Sequence, residues 1–223
     1  MVQILTANSA TNLYWLGRYI ERVDGLLTNL MPAYDDTIDA NKDAGKNLYK
    51  CFKIDLEYTN AQEFLEEAIF GDHDSNLLTL SAYARENAII SRSYINTEAF
   101  GEIIELNAIF KNVSNSYANI DYKLINDAMS LISEIWGELS KLSKSNTSDH
   151  FLKLGRLVEK LDFHIRFHGE NEHSANMTDS INTILEQLTS KAEAKSIQKA
   201  STNDESLSIV DDLHQKIQAL IID

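Results

Sequence analysis

The chain contains a single proline and only eight glycines among its 223 residues. β-Sandwiches and β-barrels need many tight turns, which usually contain one or both of these residues. Residues with high helix propensity, such as Ala, Leu, Glu and Lys, are abundant instead. We therefore predict an all-α protein, and short connections between long helices predict an antiparallel helical bundle.

Cysteine is almost as scarce, because Cys51 occurs alone. No disulfide can form within the chain, and a reducing compartment is the simplest interpretation. The first residues lack a basic segment followed by an apolar run, and no apolar stretch is long enough to span a membrane. We therefore expect a cytoplasmic protein that does not bind membranes.

Positive charge is also in short supply, with 20 Lys and Arg residues against 34 Asp and Glu residues. The resulting net charge of −14 repels the phosphate backbone of nucleic acids, so nucleic-acid binding is not expected. No glycine-rich phosphate loop occurs, and we expect no nucleotide or other cofactor. An acidic surface suits solubility or a basic partner.

Apolar residues recur every three and four positions through most of the chain, which is typical of amphipathic helices. Pro32 should end the first helix, because proline lacks the backbone N–H and disfavours helix in the residue before it. Capping residues and glycines suggest the other boundaries. The predicted helices cover approximately residues 12–31, 46–57, 61–70, 76–95, 97–113, 121–144, 150–168, 181–197 and 207–222.

Polar segments between these helices are predicted as loops or turns, at residues 33–45, 114–119, 171–176 and 201–205. The duplicated part of the chain, described next, ends before Asn176. We therefore divide the chain into a helical bundle over residues 1–176 and a helical extension over residues 177–223. The extension either packs on the bundle or serves association with another molecule.

One helical motif occurs twice without a gap in the alignment. Residues 12–24 read NLYWLGRYIERVD, and residues 150–162 read HFLKLGRLVEKLD. A glycine inside a helix costs about 0.5–1 kcal/mol relative to alanine, so its recurrence needs a reason. We predict close approach of another backbone at Gly17 and at Gly155, within a pseudo-symmetric core.

Each copy also carries an Arg and a Glu three residues apart, on one helix face. A solvated surface pair and a buried polar network are both compatible with this spacing. A third segment, at residues 81–88, has Arg, Glu and Asn together, and Arg92 should lie on the same helix face as Arg85. Three arginine-bearing helices could hold an anion, or the arginines could pair with Glu21, Glu86 and Glu159, which we favour. The candidate binding residues are Arg18, Glu21, Arg22, Arg85, Glu86, Asn87, Arg92, Glu98, Arg156, Glu159 and Asp162.

The three segments together resemble the alpha-E domain family. The first helix, NLYWLGRYIER, is similar to the opening pattern of that family. The segment ARENA at residues 84–88, with Arg92 and Glu98 beyond it, is similar to the central pattern. The segment FLKLGR at residues 151–156, with Glu159 and Asp162, resembles the late pattern.

This resemblance implies a helical protein associated with circularly permuted ATP-grasp-like ligases and with transglutaminase-like proteins. It therefore implies a non-catalytic helical partner or scaffold in amide or peptide metabolism. Two alternatives stay open. The chain could be an enzyme that uses Glu21, Glu86 or Glu159 beside the arginines as an acid or base. It could also be a homo-oligomeric structural protein.

Metal chemistry is the other enzymatic class that a Glu-rich helical protein suggests. A di-metal carboxylate bundle needs Glu-x-x-His on two helices, and this spacing does not occur. His164 and His168 are four residues apart and could bind zinc, but the C-terminal end of a helix favours histidine for its dipole alone. We expect no metal site. Asp72, His73 and Asp74 are expected to form a solvated turn.

Overall fold

The computed structural model describes residues 5–116, 120–141, 147–193 and 209–222. Within these ranges the chain forms α-helices and one short 3-10 helix, with no strand. The all-α prediction is therefore confirmed. The helices are α1 (Ala7–Asp39), α2 (Ala44–Lys50), α3 (Ala61–Phe70), α4 (Leu77–Ile90), the 3-10 helix Arg92–Tyr94, α5 (Thr97–Ser116), α6 (Tyr122–Leu139), α7 (Thr147–His168), α8 (Glu172–Glu193) and α9 (Ile209–Ile222).

The chain divides into two compact units. The first consists of Met1–Arg18 and Ser143–Asp223, and in it α7 packs against α8 and α9, which also contact each other. The second consists of Tyr19–Leu142, and in it α4 packs against α3 and α5, while α5 packs against α6. Every helix in the described ranges is too short or too polar to cross a membrane. The antiparallel bundle and the internal duplication stay predictions.

The apolar periodicity of the sequence identifies the buried faces correctly. The predicted apolar positions of α1 are almost completely buried, and α7 and α9 bury residues at the same helical spacing. Their common spacing of three and four places them on one side of each helix. These residues are Leu13, Leu16, Ile20, Val23, Leu27 and Leu30 in α1, Leu154, Val158 and Leu161 in α7, and Leu213, Ile217 and Ile221 in α9.

Helix α1 continues through Pro32 and ends at Asp39, so the helix end predicted at Pro32 is wrong. The predicted loop at residues 33–45 is wrong for its first seven residues, which belong to α1, and for its last two, which begin α2. Proline costs a helix interior about 3 kcal/mol, which burial of Leu30 before it and Thr37 after it can offset. The hydroxyl of Thr37 also donates a 2.7 Å hydrogen bond to the carbonyl of Ala33.

Several other boundaries differ from the prediction. Helix α2 covers only Ala44–Lys50 and not residues 46–57. Helix α4 is capped by Asn76, whose side-chain oxygen accepts a 2.7 Å hydrogen bond from the backbone N–H of Thr79, and not by Ser75. Asn76 is the better cap because its amide also donates to the carbonyls of Gly71 and His73 and so holds the preceding turn.

Helix α4 ends at Ile90, earlier than predicted, and the 3-10 helix Arg92–Tyr94 follows it. The expectation that Arg92 shares an α-helical face with Arg85 is therefore wrong. The carbonyls of Asn87 and Ile89 accept the N–H of the buried residue Ser91, which closes the end of α4.

The segment predicted as a loop at residues 171–176 forms the start of α8. Asn171 begins this helix, because its side-chain oxygen accepts hydrogen bonds from the N–H groups of His173 and Ser174. Residue 176, the predicted end of the bundle, therefore lies inside a helix. The division into bundle and extension stays a prediction. The predicted turn at residues 114–119 is helical as far as Ser116.

Three predicted boundaries agree with the structure. Asn60 caps α3 and Asp121 caps α6, each by accepting a hydrogen bond from a backbone N–H three residues later. Gly169 follows α7 with a φ of +70°, a conformation that glycine adopts without strain. The helix end predicted at residue 144 is wrong, because α6 ends at Leu139 and the N–H of Ser140 bonds back to the carbonyl of Trp136. The predicted break at residues 201–205 and the predicted helix end at residue 197 lie outside the described residues.

Candidate functional site

The start of α1 crosses α7 at the two repeated glycines. A Cβ atom added to Gly17 would lie 2.2 Å from the carbonyl oxygen of Leu152, and one added to Gly155 would lie 1.9 Å from that of Tyr14. Real Cβ atoms do not approach backbone atoms so closely, so only glycine fits either position. The close backbone approach predicted at these glycines is confirmed.

The contacts at this crossing are reciprocal between the two motif copies. In the repeat alignment, Tyr14 corresponds to Leu152 and Arg18 to Arg156. The Cβ position of Gly17 faces the carbonyl of Leu152 and the N–H nitrogen of Arg156, and that of Gly155 faces the carbonyl of Tyr14 and the nitrogen of Arg18. Equivalent residues of the two motifs therefore make equivalent backbone contacts at this crossing.

Arg18, the residue after Gly17, forms a buried ion pair with Glu159 of α7, which lies one turn after Gly155. Its Nε donates a 2.7 Å hydrogen bond to Oε2 of Glu159, whose side chain has no solvent-exposed surface. Arg18 itself is buried. For Arg18 and Glu159 the structure therefore shows a buried polar contact and not a solvated surface pair.

Aromatic rings lie around the guanidinium of Arg18. Its central carbon is 5.2 Å from the ring centroid of Trp15 and 5.9 Å from that of Tyr14, both within cation–π range. Burial alone lowers the pKa of Arg18, but the attraction and hydrogen bond of Glu159, with smaller contributions from Tyr14 and Asp162, outweigh it. The pKa of Arg18 therefore lies above its ordinary value, and the residue stays charged.

The remaining predicted residues of the first unit lie on α7. Asp162 is buried and accepts a 2.8 Å hydrogen bond from Nε of Arg166, one turn later. Arg156 is half-buried. Arg18 therefore lies within electrostatic range of both carboxylates, Glu159 and Asp162, in the first unit.

Helix α9 supplies a residue that sequence reasoning missed. Nδ1 of His214 lies 3.2 Å from the hydroxyl oxygen of Tyr14, and the His214 ring centroid is 5.7 Å from that of Trp15. Burial, and then the positive charge of Arg18, lower the pKa of His214. The available signal was the position of His214 beside the buried residue Leu213 in an apolar periodic helix.

The other predicted residues belong to the second unit. Glu21 is buried and Arg22 is half-buried, both in α1. On α4, Arg85 forms an ion pair with Glu86, and the amide of Asn87 donates a 2.8 Å hydrogen bond to the carbonyl of Tyr83. Glu86 therefore pairs with an arginine, as predicted, but this ion pair lies on the protein surface.

Arg92 and Glu98 are both exposed. The central carbon of the Arg92 guanidinium lies 4.9 Å from the ring centroid of Phe100. No carboxylate of the described residues forms an ion pair with Arg92. These two residues thus share neither the burial nor the pairing of Arg18 and Glu159.

The histidines considered as metal ligands are near one another at the end of α7. The His164 ring centroid is 5.0 Å from that of His168 and 4.8 Å from that of His173. Nε2 of His164 lies 3.0 Å from the capping oxygen of Asn171. Among the described residues, no group of three or more His, Cys, Asp or Glu side chains is arranged to hold a metal ion.

A polar cleft of about 690 Å³ opens in the second unit, where α3 leads into α4. Asp72 and Asp74 are exposed there, as expected for a solvated turn, whereas His73 is half-buried. Nε2 of His73 lies 3.1 Å from the carbonyl of Glu67, and burial lowers the pKa of His73. None of the eleven candidate binding residues lines the cleft, whose lining is Phe52, Ile54, Phe70, Gly71, Asp72, His73, Asp74, Ser75, Asn76, Leu78 and Thr79.

Comparison with known proteins gives one family. The family model that matches residues 5–207 is Alpha-E, described as a predicted alpha-helical domain with a conserved ER motif. No curated protein and no solved structure matches the chain. Glu-Arg occurs once in the sequence, at Glu21-Arg22 in α1. Because the match covers most of the chain, whose described ranges contain helices and no strand, the protein belongs to the Alpha-E family.

Proposed function

We propose that this protein is a non-catalytic helical partner, or scaffold, of a cytoplasmic ATP-grasp-type ligase that forms amide or peptide bonds. The class of partner comes from the association of the alpha-E family with such ligases. The same association makes a transglutaminase-like protein the second choice of partner. A non-catalytic role is argued from the candidate site itself.

The observation that supports this proposal most directly is the buried ion pair of Arg18 and Glu159. A general acid or base must come within hydrogen-bond distance of the proton that it transfers to or from the substrate. The side chain of Glu159 has no exposed surface, and its Oε2 accepts the Nε–H of Arg18. Such a pair is suited to fixing the register of α1 against α7, which is a structural task.

The arrangement of the other candidate residues also favours a partner over an enzyme. The cleft of the second unit has the concave shape of a small-molecule site, but it contains none of the Arg and Glu residues of the repeated motifs. Glu86 is exposed and paired with its neighbour Arg85. An enzyme that used this carboxylate would need it inside a cleft that excludes water.

The alternative of a tail-mediated homo-oligomer is the third candidate, and the packing of α9 argues against it. Leu213, Ile217 and Ile221 form the apolar stripe of this helix, and all three are buried within the chain itself. Helix α9 contacts α7 and α8. Because the apolar stripe of α9 is already covered, this helix has little apolar surface left to bind a second copy.

Co-expression with the ATP-grasp-type ligase of the same genome tests the proposal. We expect the two proteins to elute together in size-exclusion chromatography, and the complex to hydrolyse ATP faster than the ligase alone. The folded variant Glu159→Gln should stimulate the ligase as well as the natural protein does, because the carboxylate does no chemistry. Failure of the two proteins to associate would contradict the partner role, and loss of stimulation by folded Glu159→Gln would contradict the non-catalytic one.

A further inference from the structure

Helix α4 is apolar on both sides, although only one side is covered within its unit. Leu77, Leu80, Ala84 and Ala88 are buried on the side that faces α3 and α5. The opposite side still carries three large apolar side chains: Tyr83, Ile89 and Ile90 are 44%, 39% and 52% exposed. A surface helix normally has a polar outer side, so a cluster of large exposed apolar residues indicates a binding surface.

Part of this surface is held in a fixed conformation. The ring centroid of Tyr83 lies 5.2 Å from that of Tyr19, a separation at which aromatic rings attract each other. The hydrogen bond from Asn87 to the carbonyl of Tyr83 lies on the same turn of α4. A tyrosine with few rotatable bonds loses little entropy when a partner covers it, and contact with a second ring reduces that loss further.

Arg85 and Arg92 outnumber the one carboxylate on the outer side of α4, that of Glu86, so this surface has a net positive charge on an acidic chain. Arg85 lies one turn before Ile89 and is 39% exposed, and Arg92 is exposed just beyond the end of α4. Exposed ion pairs such as that of Arg85 with Glu86 contribute little to stability, so Arg85 can exchange its partner readily. The guanidinium of Arg92 rests on the ring of Phe100, and it has no carboxylate partner among the described residues. With Arg85 paired to Glu86, Arg92 supplies the excess positive charge beside the exposed apolar side chains, and on a chain of net charge −14 this favours an acidic partner.

We propose that the outer surface of α4, formed by Tyr83, Arg85, Ile89, Ile90 and Arg92, binds an acidic amphipathic helix of the ligase. This inference rests on the proposed partner role and assigns its interface. The apolar side of such a helix would cover the isoleucines and the tyrosine, and Asp or Glu residues at its margin would pair with the two arginines. A second copy of this chain fits less well. In a two-fold dimer the same surface meets itself and would bring like charges together.

Two variants and a matched control test this interface with the purified ligase in isothermal titration calorimetry. Ile90→Asp introduces a charge into the apolar part, and Arg92→Glu reverses a charge at its margin. We expect each change to weaken binding at least about tenfold, because each one affects an interface core or a desolvated charge pair. Lys123→Glu, which reverses an exposed charge of α6 outside this surface, should leave the affinity unchanged. Circular dichroism establishes that all three variants are folded.

The possible results separate the interface from the partner role. Unchanged affinity in both α4 variants would overturn the interface and leave the partner role intact. Absence of binding by the natural protein would overturn both. Sedimentation velocity gives a further test: if the natural protein is a dimer that Ile90→Asp dissociates, the surface binds a second copy and the proposal is wrong.

Discussion

Arg18 and Glu159 are 141 residues apart in the chain, yet they form a buried 2.7 Å ion pair. Their contact follows from the crossing of α1 and α7 at Gly17 and Gly155, where neither helix has room for a Cβ atom. Because no side chain separates the two backbones at the crossing, the helix axes come close together, and Arg18 beside Gly17 can reach Glu159 one turn after Gly155. The repeated glycines and the ion pair are therefore parts of one arrangement.

Alanine at either glycine should destabilise the protein. Gly17→Ala and Gly155→Ala each place a methyl group against a backbone carbonyl, which cannot move aside as a flexible side chain can. We expect each change to lower the free energy of unfolding by about 2–3 kcal/mol or more, measured by urea denaturation. The control is Gly101→Ala, because a Cβ added at Gly101 has no neighbour within 4 Å. It should raise stability by about 0.5–1 kcal/mol. Equal effects at all three positions would contradict the close crossing.

Removal of one partner of the buried ion pair should cost more than removal of both. Arg18→Met leaves the Glu159 carboxylate buried without its partner, and we expect a loss of about 3–5 kcal/mol in the free energy of unfolding. The double variant Arg18→Met, Glu159→Leu should regain most of this loss, because neither charge of the pair is then left without the other.

The matched control for this pair is the exposed ion pair of Lys123 and Asp127 on α6. Lys123→Met should leave the stability nearly unchanged, since solvent screens an exposed pair. A double-mutant cycle on Arg18 and Glu159 with a coupling energy near zero would show that the buried pair is not formed in solution.

Stability should decrease as the solution becomes mildly acidic. Burial, and for His214 also the charge of Arg18, hold the pKa values of His73 and His214 below the ordinary 6.5. The unfolded chain therefore binds these protons more readily than the folded chain, and unfolding becomes easier as the pH falls through about 6.5. The decrease ends once the pH lies below the folded-state pKa values. We expect less than about 1 kcal/mol from each histidine, because both remain partly in contact with solvent.

Urea denaturation at about pH 7.5 and about pH 5.5 measures this effect above the range where carboxylates titrate. His214→Asn replaces the imidazole with an amide that does not titrate and can still bond to the Tyr14 hydroxyl. Its stability should vary less with pH than that of the natural protein. An equally steep dependence in His214→Asn would assign the effect to other groups.

Replacement of the proline inside α1 should stabilise the protein. Pro32→Ala restores a backbone N–H that can donate to the carbonyl of Thr28, and Pro32 is exposed, so no packing is lost. We expect a gain of about 1–3 kcal/mol in the free energy of unfolding. Pro32→Gly restores the same N–H but adds chain entropy, so it should gain about 1 kcal/mol less. A loss of stability in Pro32→Ala would mean that α1 needs the bend that proline imposes.

The sequence predicted helix identity well because the signals are local. A few neighbouring residues are enough to determine each of these features: the apolar positions of α1 from Leu13 to Leu30, the caps Asn60 and Asp121, and the end of α7 at Gly169. Predictions failed where packing outweighs local preference. Pro32 is a helix breaker by itself, but the helix continues because buried residues on both sides hold it.

What the amino-acid sequence determined by itself is the set of helices, the repeated Leu-Gly-Arg motif and the need for a small residue at positions 17 and 155. These follow from backbone sterics and from helical periodicity. Only the tertiary structure decided which charges meet. Spacing places Arg18 on the same helix face as Glu21, but its Nε bonds to Glu159 of α7. The choice depends on where two helices cross, and a crossing is a property of packing that no short segment of sequence contains.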